Sequence, residues 1–146
     1  MAFLMTACDR QTVYSHFEHT PVTGWERNDT LTFSVDALMA TGRYEENLGL
    51  RISGSYPFMQ LNLIVQHTVY PSMTTYSDTV CCRLIDKQGN AVGRGVGQYQ
   101  YTFPVTKLHL QADDKLHIAV RHDMKREILP GITDVGIQIV KVAEKY

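Results

Sequence analysis

Leu61-Asn62-Leu63-Ile64-Val65-Gln66-His67-Thr68-Val69 is the stretch on which the reading of this chain turns. Leu61, Leu63, Val65 and Val69 fall on one side of an extended backbone. Asn62, Gln66 and Thr68 fall on the other, and Ile64 alone breaks the alternation. Side chains of a strand point to opposite faces in turn, so a period of two with one apolar face describes a half-buried strand. Leu31, Phe33, Val35 and Ala37 repeat the pattern, as do Leu48, Leu50 and Ile52. Val80, Cys82 and Leu84 oppose Thr79, Cys81 and Arg83, which sends one cysteine inward and its neighbour outward. Tyr99, Tyr101 and Phe103 share a face of a strand expected near 96–103, and Leu108 and Leu110 begin a separate segment. Leu116, Ile118, Val120, His122 and Met124 form a further face, and Val135, Ile137 and Ile139 the last. No stripe with a helical period is present. With a short segment at 13–17 the count is about eight to nine strands. That predicts an all-β, antiparallel two-sheet β-sandwich of jelly-roll type, a single domain over residues 13–146.

Turn chemistry falls between these segments. Asp86-Lys87-Gln88-Gly89-Asn90 suits a hairpin loop, and Pro71, Pro104 and Pro130-Gly131 mark expected strand ends, because proline cannot donate to a ladder. Gly93-Arg94-Gly95-Val96-Gly97 leaves one strand face bare and lacks the strand-to-helix setting of a phosphate loop. The formal net charge is −1, with basic residues scattered rather than striped, which excludes a nucleic-acid footprint. No run of about 18 apolar residues exists to span a bilayer as a helix.

The N-terminal residues Met-Ala-Phe-Leu-Met-Thr-Ala-Cys-Asp place small Thr6 and Ala7 directly before Cys8, after an apolar run. That is the layout of a lipoprotein cleavage site. Residues 1–7 are then the remnant of a signal peptide. Cys8 becomes the lipid attachment point, and residues 8–12 become a short tether to the first strand. Cys81 and Cys82 are expected as free thiols, since a bond between sequence neighbours closes a strained ring and adjacent cysteines do not offer spaced metal ligands.

Several side chains are candidates for function. Trp25, after Gly24, is either a stacking platform or a core anchor with its indole N–H bonded to backbone. Tyr56 and Phe58 flank Pro57 and either present rings to a ligand or cap the open end of the sandwich. Tyr99 and Tyr101, two apart, form an aromatic strip that is either core or a patch for a partner. His67 and His122 lie on apolar faces and could meet inside, whereas His16 and His19 have a spacing that suits a helix rather than a strand. No histidine pair stands with a carboxylate at metal-site spacing, so no metal is expected. No Gly-x-Ser-x-Gly elbow or activated cysteine is present, and the neighbouring carboxylates Glu45-Glu46 and Asp113-Asp114 would point to opposite faces of a strand. No enzyme activity is expected.

Five stretches, in order, resemble the GldH family of gliding-motility-associated lipoproteins. They are Cys8-Asp9 with Val13-Tyr14; Gly24-Trp25 with Asp29; and Tyr56-Pro57 leading into 61–65. The fourth is Asp86-Lys87-Gln88-Gly89 with Gly93-Arg94-Gly95, and the fifth Gly131-Ile132-Thr133-Asp134-Val135-Gly136. The resemblance implies a cell-envelope lipoprotein anchored at Cys8, expected in the outer membrane, serving the gliding and protein-secretion machinery. It implies no cofactor and no catalytic residues. The partners it implies are the membrane, through the lipid, and other envelope proteins. A carbohydrate ligand on the loop at 56–58 is the alternative expectation.

Overall fold

The computed structural model describes residues 10–54, 56–84 and 98–143. Ten strands cover most of them: β1 Arg10–His19, β2 Trp25–Glu26, β3 Leu31–Val35, β4 Gly42–Ser53 and β5 Gln60–Tyr70, then β6 Thr74–Arg83, β7 Gln98–Leu110, β8 Lys115–His122, β9 Ile128–Leu129 and β10 Ile132–Val142. One sheet runs β1-β10-β4-β7 and the other β3-β8-β5-β6, with every pairing antiparallel. The third pair, β2 with β9, is a two-rung ribbon. The expected all-β sandwich is what forms.

Alternation explains the two layers. In β4 the residues Tyr44, Glu46, Leu48, Leu50 and Ile52 are buried while their neighbours are partly exposed. In β5 Leu61, Leu63, Val65, His67 and Val69 face the same interior from the other sheet. Leu116, Ile118, Val120 and His122 of β8 join them. These side chains form one continuous core, and each fully buried aliphatic side chain contributes roughly 1.5–3 kcal/mol relative to exposure. Cys82 is buried and Cys81 exposed, both as free thiols.

Three details differ from expectation. Residues 10–12, read as tether, already pair in the sheet, with Arg10 opposite Val142. Their polar sequence hides a strand because both faces of this edge segment are wet. Pro104 does not end a strand: β7 runs through it to Leu110. β7 is an edge strand, and the register shifts there so that Asn47 faces Pro104 and Glu46 faces Thr106. A bulge on an edge needs no donor from proline, which is why the strand survives. Finally, β2 and β9 are too short to carry a period. The expected lipid site Cys8, the hairpin loop at 86–90 and the glycine run at 93–97 lie outside the described residues.

The registers define two ends. At the end where β1 begins, Arg10, Val142, Arg43 and His109 lie in one row across the first sheet, and Lys115 lies opposite Tyr70 in the second. At the other end lie His19, Asp134, Arg51 and Gln100, with Cys82 and Leu61 in the second sheet. They are called here the near and the far end. Nine residue steps along β1, from Arg10 to His19, separate them, about 30 Å.

Candidate functional site

The far end gathers most of the aromatic candidates. Tyr56 and Phe58 follow β4 and are both partly buried against the core. Their rings meet edge to face, with centroids 5.7 Å apart and an interplanar angle of 70°. The Tyr56 hydroxyl donates to the Gln60 carbonyl at 2.9 Å, and its N–H to Ser53 at 3.2 Å. Burial, and then the Cys82 sulfur, hold the Tyr56 phenol above its ordinary pKa, so the ring stays neutral. Burial also pushes the Cys82 thiol up to about 12, which removes its nucleophilicity at neutral pH.

Gly131 explains why this loop sits where it does. Its φ is +87°, and a Cβ on it would stand 2.6 Å from the Tyr56 nitrogen and 2.7 Å from the Tyr56 Cα. Only glycine lets the backbone of Tyr56 approach so closely. Ser53 N–H donates to the Gly131 carbonyl at 2.7 Å, which closes the junction. Leu84 then links the loop to β7. Its N–H donates to the Met59 carbonyl at 2.9 Å, and its carbonyl accepts from the Tyr101 hydroxyl at 3.0 Å. Tyr101 is therefore buried and stacked beside Phe103, whereas Tyr99 is only partly buried. Of the four aromatic candidates, Tyr56 and Phe58 meet directly and Tyr101 is joined to their loop through Leu84.

Trp25 anchors the same end. It is fully buried, and its indole N–H donates to the Asp29 carbonyl at 2.7 Å, as a core anchor should. Gly24 precedes it at φ +122°, with Ile128 and Leu129 filling the space a side chain would need. His122 stands edge-on to the indole, 5.3 Å between centroids. Its Nε2 lies 3.1 Å from the Trp25 carbonyl and 3.3 Å from that of Glu127, while its Nδ1 receives the Met124 N–H at 3.3 Å. These partners select a neutral ring with the proton on Nε2. Burial lowers the His122 pKa, consistent with that state.

His67 and His122 do not meet. Across β5 and β8, His67 pairs with Ile118 and His122 with Leu63, so they sit well apart along the sheet. His67 instead contacts Glu46 of the opposite sheet, both side chains fully buried. Its Nδ1 lies 3.8 Å from the Asp78 carboxylate. Burial raises the Glu46 pKa, and the His67 hydrogen bond opposes that shift. A carboxylate bound to a histidine that touches a second carboxylate has the outline of a catalytic relay. Here Glu46 and His67 are buried away from solvent and bridge the two layers, while Asp78 is partly exposed at the sheet surface. His67 stands out on its apolar face, but its pairing with Glu46 cannot be read from local pattern, because it joins two sheets. His16 and His19 take separate partners, Glu18 and Asp134. Among the described residues no three His, Cys, Asp or Glu side chains are grouped to hold a metal ion.

The comparisons with known proteins bear on what such an arrangement serves. Residues 12–139 match the family model described as GldH lipoprotein. The chain belongs to the GldH family. A relative, the gliding motility lipoprotein GldH of Flavobacterium johnsoniae, is 32% identical over 94% of this chain and 90% of its own length. Among solved structures, the fold resembles part of a GH115 4-O-methyl-α-glucuronidase, BtGH115A, at 12% identity and a TM-score of 0.50. It also resembles part of the Cry4Aa toxin of Bacillus thuringiensis, at 5% identity and a TM-score of 0.51. This chain spans 18% of the first and 19% of the second, and covers 92% and 82% of itself. These likenesses speak to the fold alone. Within the GldH family match, Gly24-Trp25, Tyr56-Pro57 and Gly131 now have a shared physical role: they build the far end.

Proposed function

We propose that this protein is a non-catalytic, lipid-anchored component of the cell envelope, held to the outer membrane through Cys8 and accessory to the gliding and protein-secretion machinery. Membership of the GldH family over residues 12–139 carries that proposal. An acylated Cys8 would confine the sandwich to a plane, which raises its effective concentration toward other envelope proteins. A modest binding face then suffices. The far end is the best candidate for that face, since Tyr56 and Phe58 are held rigidly there and Met59 and Ile128 are exposed at the same end. Rigid aromatic side chains lose little entropy on binding, and aromatics are enriched at interface cores.

A photo-crosslinking residue at position 56 or 58, introduced in the native bacterium, tests this. The expected result is capture of a component of the gliding or secretion apparatus, with none captured from position 107 on the exposed flank of β7. Recovery of no such component from either position would overturn it. The carbohydrate alternative has less support, because the Tyr56 and Phe58 rings meet edge to face rather than forming a flat platform. Glycan-array binding lost on Tyr56→Ala and Phe58→Ala would move the function there.

A further inference from the structure

We infer that the near end of the sandwich rests on the lipid bilayer itself, with Met39 and Met73 as its contact points. This rests on the proposal that Cys8 carries the lipid. Cys8 precedes Arg10 by two residues, which reach about 7 Å when fully extended. Arg10 is paired into the first sheet opposite Val142, so it cannot swing away from the body. An anchor at Cys8 therefore brings the near end to the membrane surface and directs the far end away from it.

The side chains at that end suit such contact. Met39 is 98% exposed and Met73 64%, and Tyr70 and Tyr76 are exposed beside them. Met39 belongs to the connection from β3 to β4, which is tied to the turn after β7. Leu38 N–H donates to Asp114 at 2.9 Å and Asp113 N–H to Leu38 at 2.7 Å. Met73 belongs to the turn from β5 to β6 and has a φ of 62°, a left-handed conformation uncommon for a residue with a side chain. Met39 thus projects from a loop held by main-chain bonds, and Met73 from a tight turn in which the Ser72 hydroxyl donates to the Val69 carbonyl at 3.3 Å. Met39 lines a groove of about 380 Å³ whose apolar wall includes Val13, Tyr14 and Leu38, with Asp36 and Lys141 among its polar lining. Methionine is flexible and apolar, which fits a fluid surface better than a specific pocket.

Charge does not favour anionic lipid. Arg10 is paired with Glu45 at 2.6 Å, and Arg43, Lys115 and Lys141 are offset by Asp36, Asp113 and Asp114. The contact is apolar, so it holds on zwitterionic bilayers and is insensitive to salt.

The test places an environment-sensitive fluorophore on Met39→Cys, Met73→Cys or Val22→Cys in a Cys81→Ser background, using the lipidated protein in phosphatidylcholine vesicles. Val22 is fully exposed in the connection from β1 to β2 at the far end, which makes it the internal control. Blue-shifted emission at 39 and 73, quenched by brominated lipid and unchanged by salt, with no shift at 22, is the expected outcome. Mass spectrometry of the same sample reports the state of Cys8. A diacylglyceryl group on Cys8 with positions 39 and 73 as solvent-exposed as 22 would overturn the bilayer contact and leave the anchor standing. An unmodified Cys8 would overturn both. Shifts seen only in native membranes would also overturn it, in favour of a protein contact.

Discussion

The two ends of the sandwich each bury a histidine, and the two are satisfied in different ways. His122, toward the far end, is neutral and bonded to main-chain groups of Trp25, Glu127 and Met124. His67, toward the near end, is set against the Glu46 carboxylate from the facing sheet. The first knits turns together; the second joins layers. Around His122 the connections are fixed by Gly24, Gly131 and the Leu84 clasp. Around the near end they are tied through main-chain bonds yet leave Met39 and Met73 projecting. A rigid end suits recognition of a shaped partner. An end with projecting flexible apolar groups suits a surface without shape.

The largest expected effects lie in the interior of both halves. Trp25→Ala should cost about 3–5 kcal/mol, measured by urea unfolding followed by circular dichroism. Glu46→Ala and His67→Ala should each cost about 3–5 kcal/mol, because one buried partner is left unpaired. Replacing both by leucine should cost far less than the sum of the single changes. A double mutant as unstable as that sum would show that the pair does not act as a unit.

Gly131→Ala comes next, at about 1–3 kcal/mol, since the new methyl meets the Tyr56 backbone and φ is positive. Capture at positions 56 and 58 should fall with it, while emission from fluorophores at 39 and 73 should not change. That separation of readouts tests whether the ends are independent.

Acidity should separate the halves too. The folded state holds His122 neutral, with a pKa below the ordinary 6.5. Its contribution is complete above pH 6.5 and is lost as pH falls through the lowered value. Glu46 behaves oppositely. Its pKa is raised above 4.5, so its contribution is complete below 4.5 and is lost as pH rises through the raised value. His122→Gln should flatten the acid side of a stability-pH profile, and Glu46→Gln the side above pH 4.5. The smallest effect belongs to Met39→Ser and Met73→Ser, each within about 0.5 kcal/mol of the parent, because neither side chain is packed. Loss of several kcal/mol there would mean the near end is core rather than contact surface.

Much of the framework was legible in advance. The alternation at 61–69 is β5, and the opposed cysteines follow from the same period. Trp25 behaves as a lone tryptophan after glycine should. Pro104 misled because its cost depends on whether the strand is at an edge, which only the sheet order reveals. Residues 10–12 misled because an edge strand wet on both faces has no apolar side to announce it. Glu46, beside Glu45, looks like a solvated carboxylate. It is buried because β4 extends through it in phase with Tyr44 and Leu48.

Period, turn residues and charge thus determined by themselves that this chain is a two-layer β-protein, with cysteines facing opposite ways and no cationic stripe. Those properties are local, set by the alternation of side chains along an extended backbone. The meeting of Glu46 with His67, the seat of Tyr56 on Gly131 and the sorting of exposed residues to two ends were decided only by the tertiary structure. Each depends on which strands become neighbours and in what register, and that is chosen by the whole core at once.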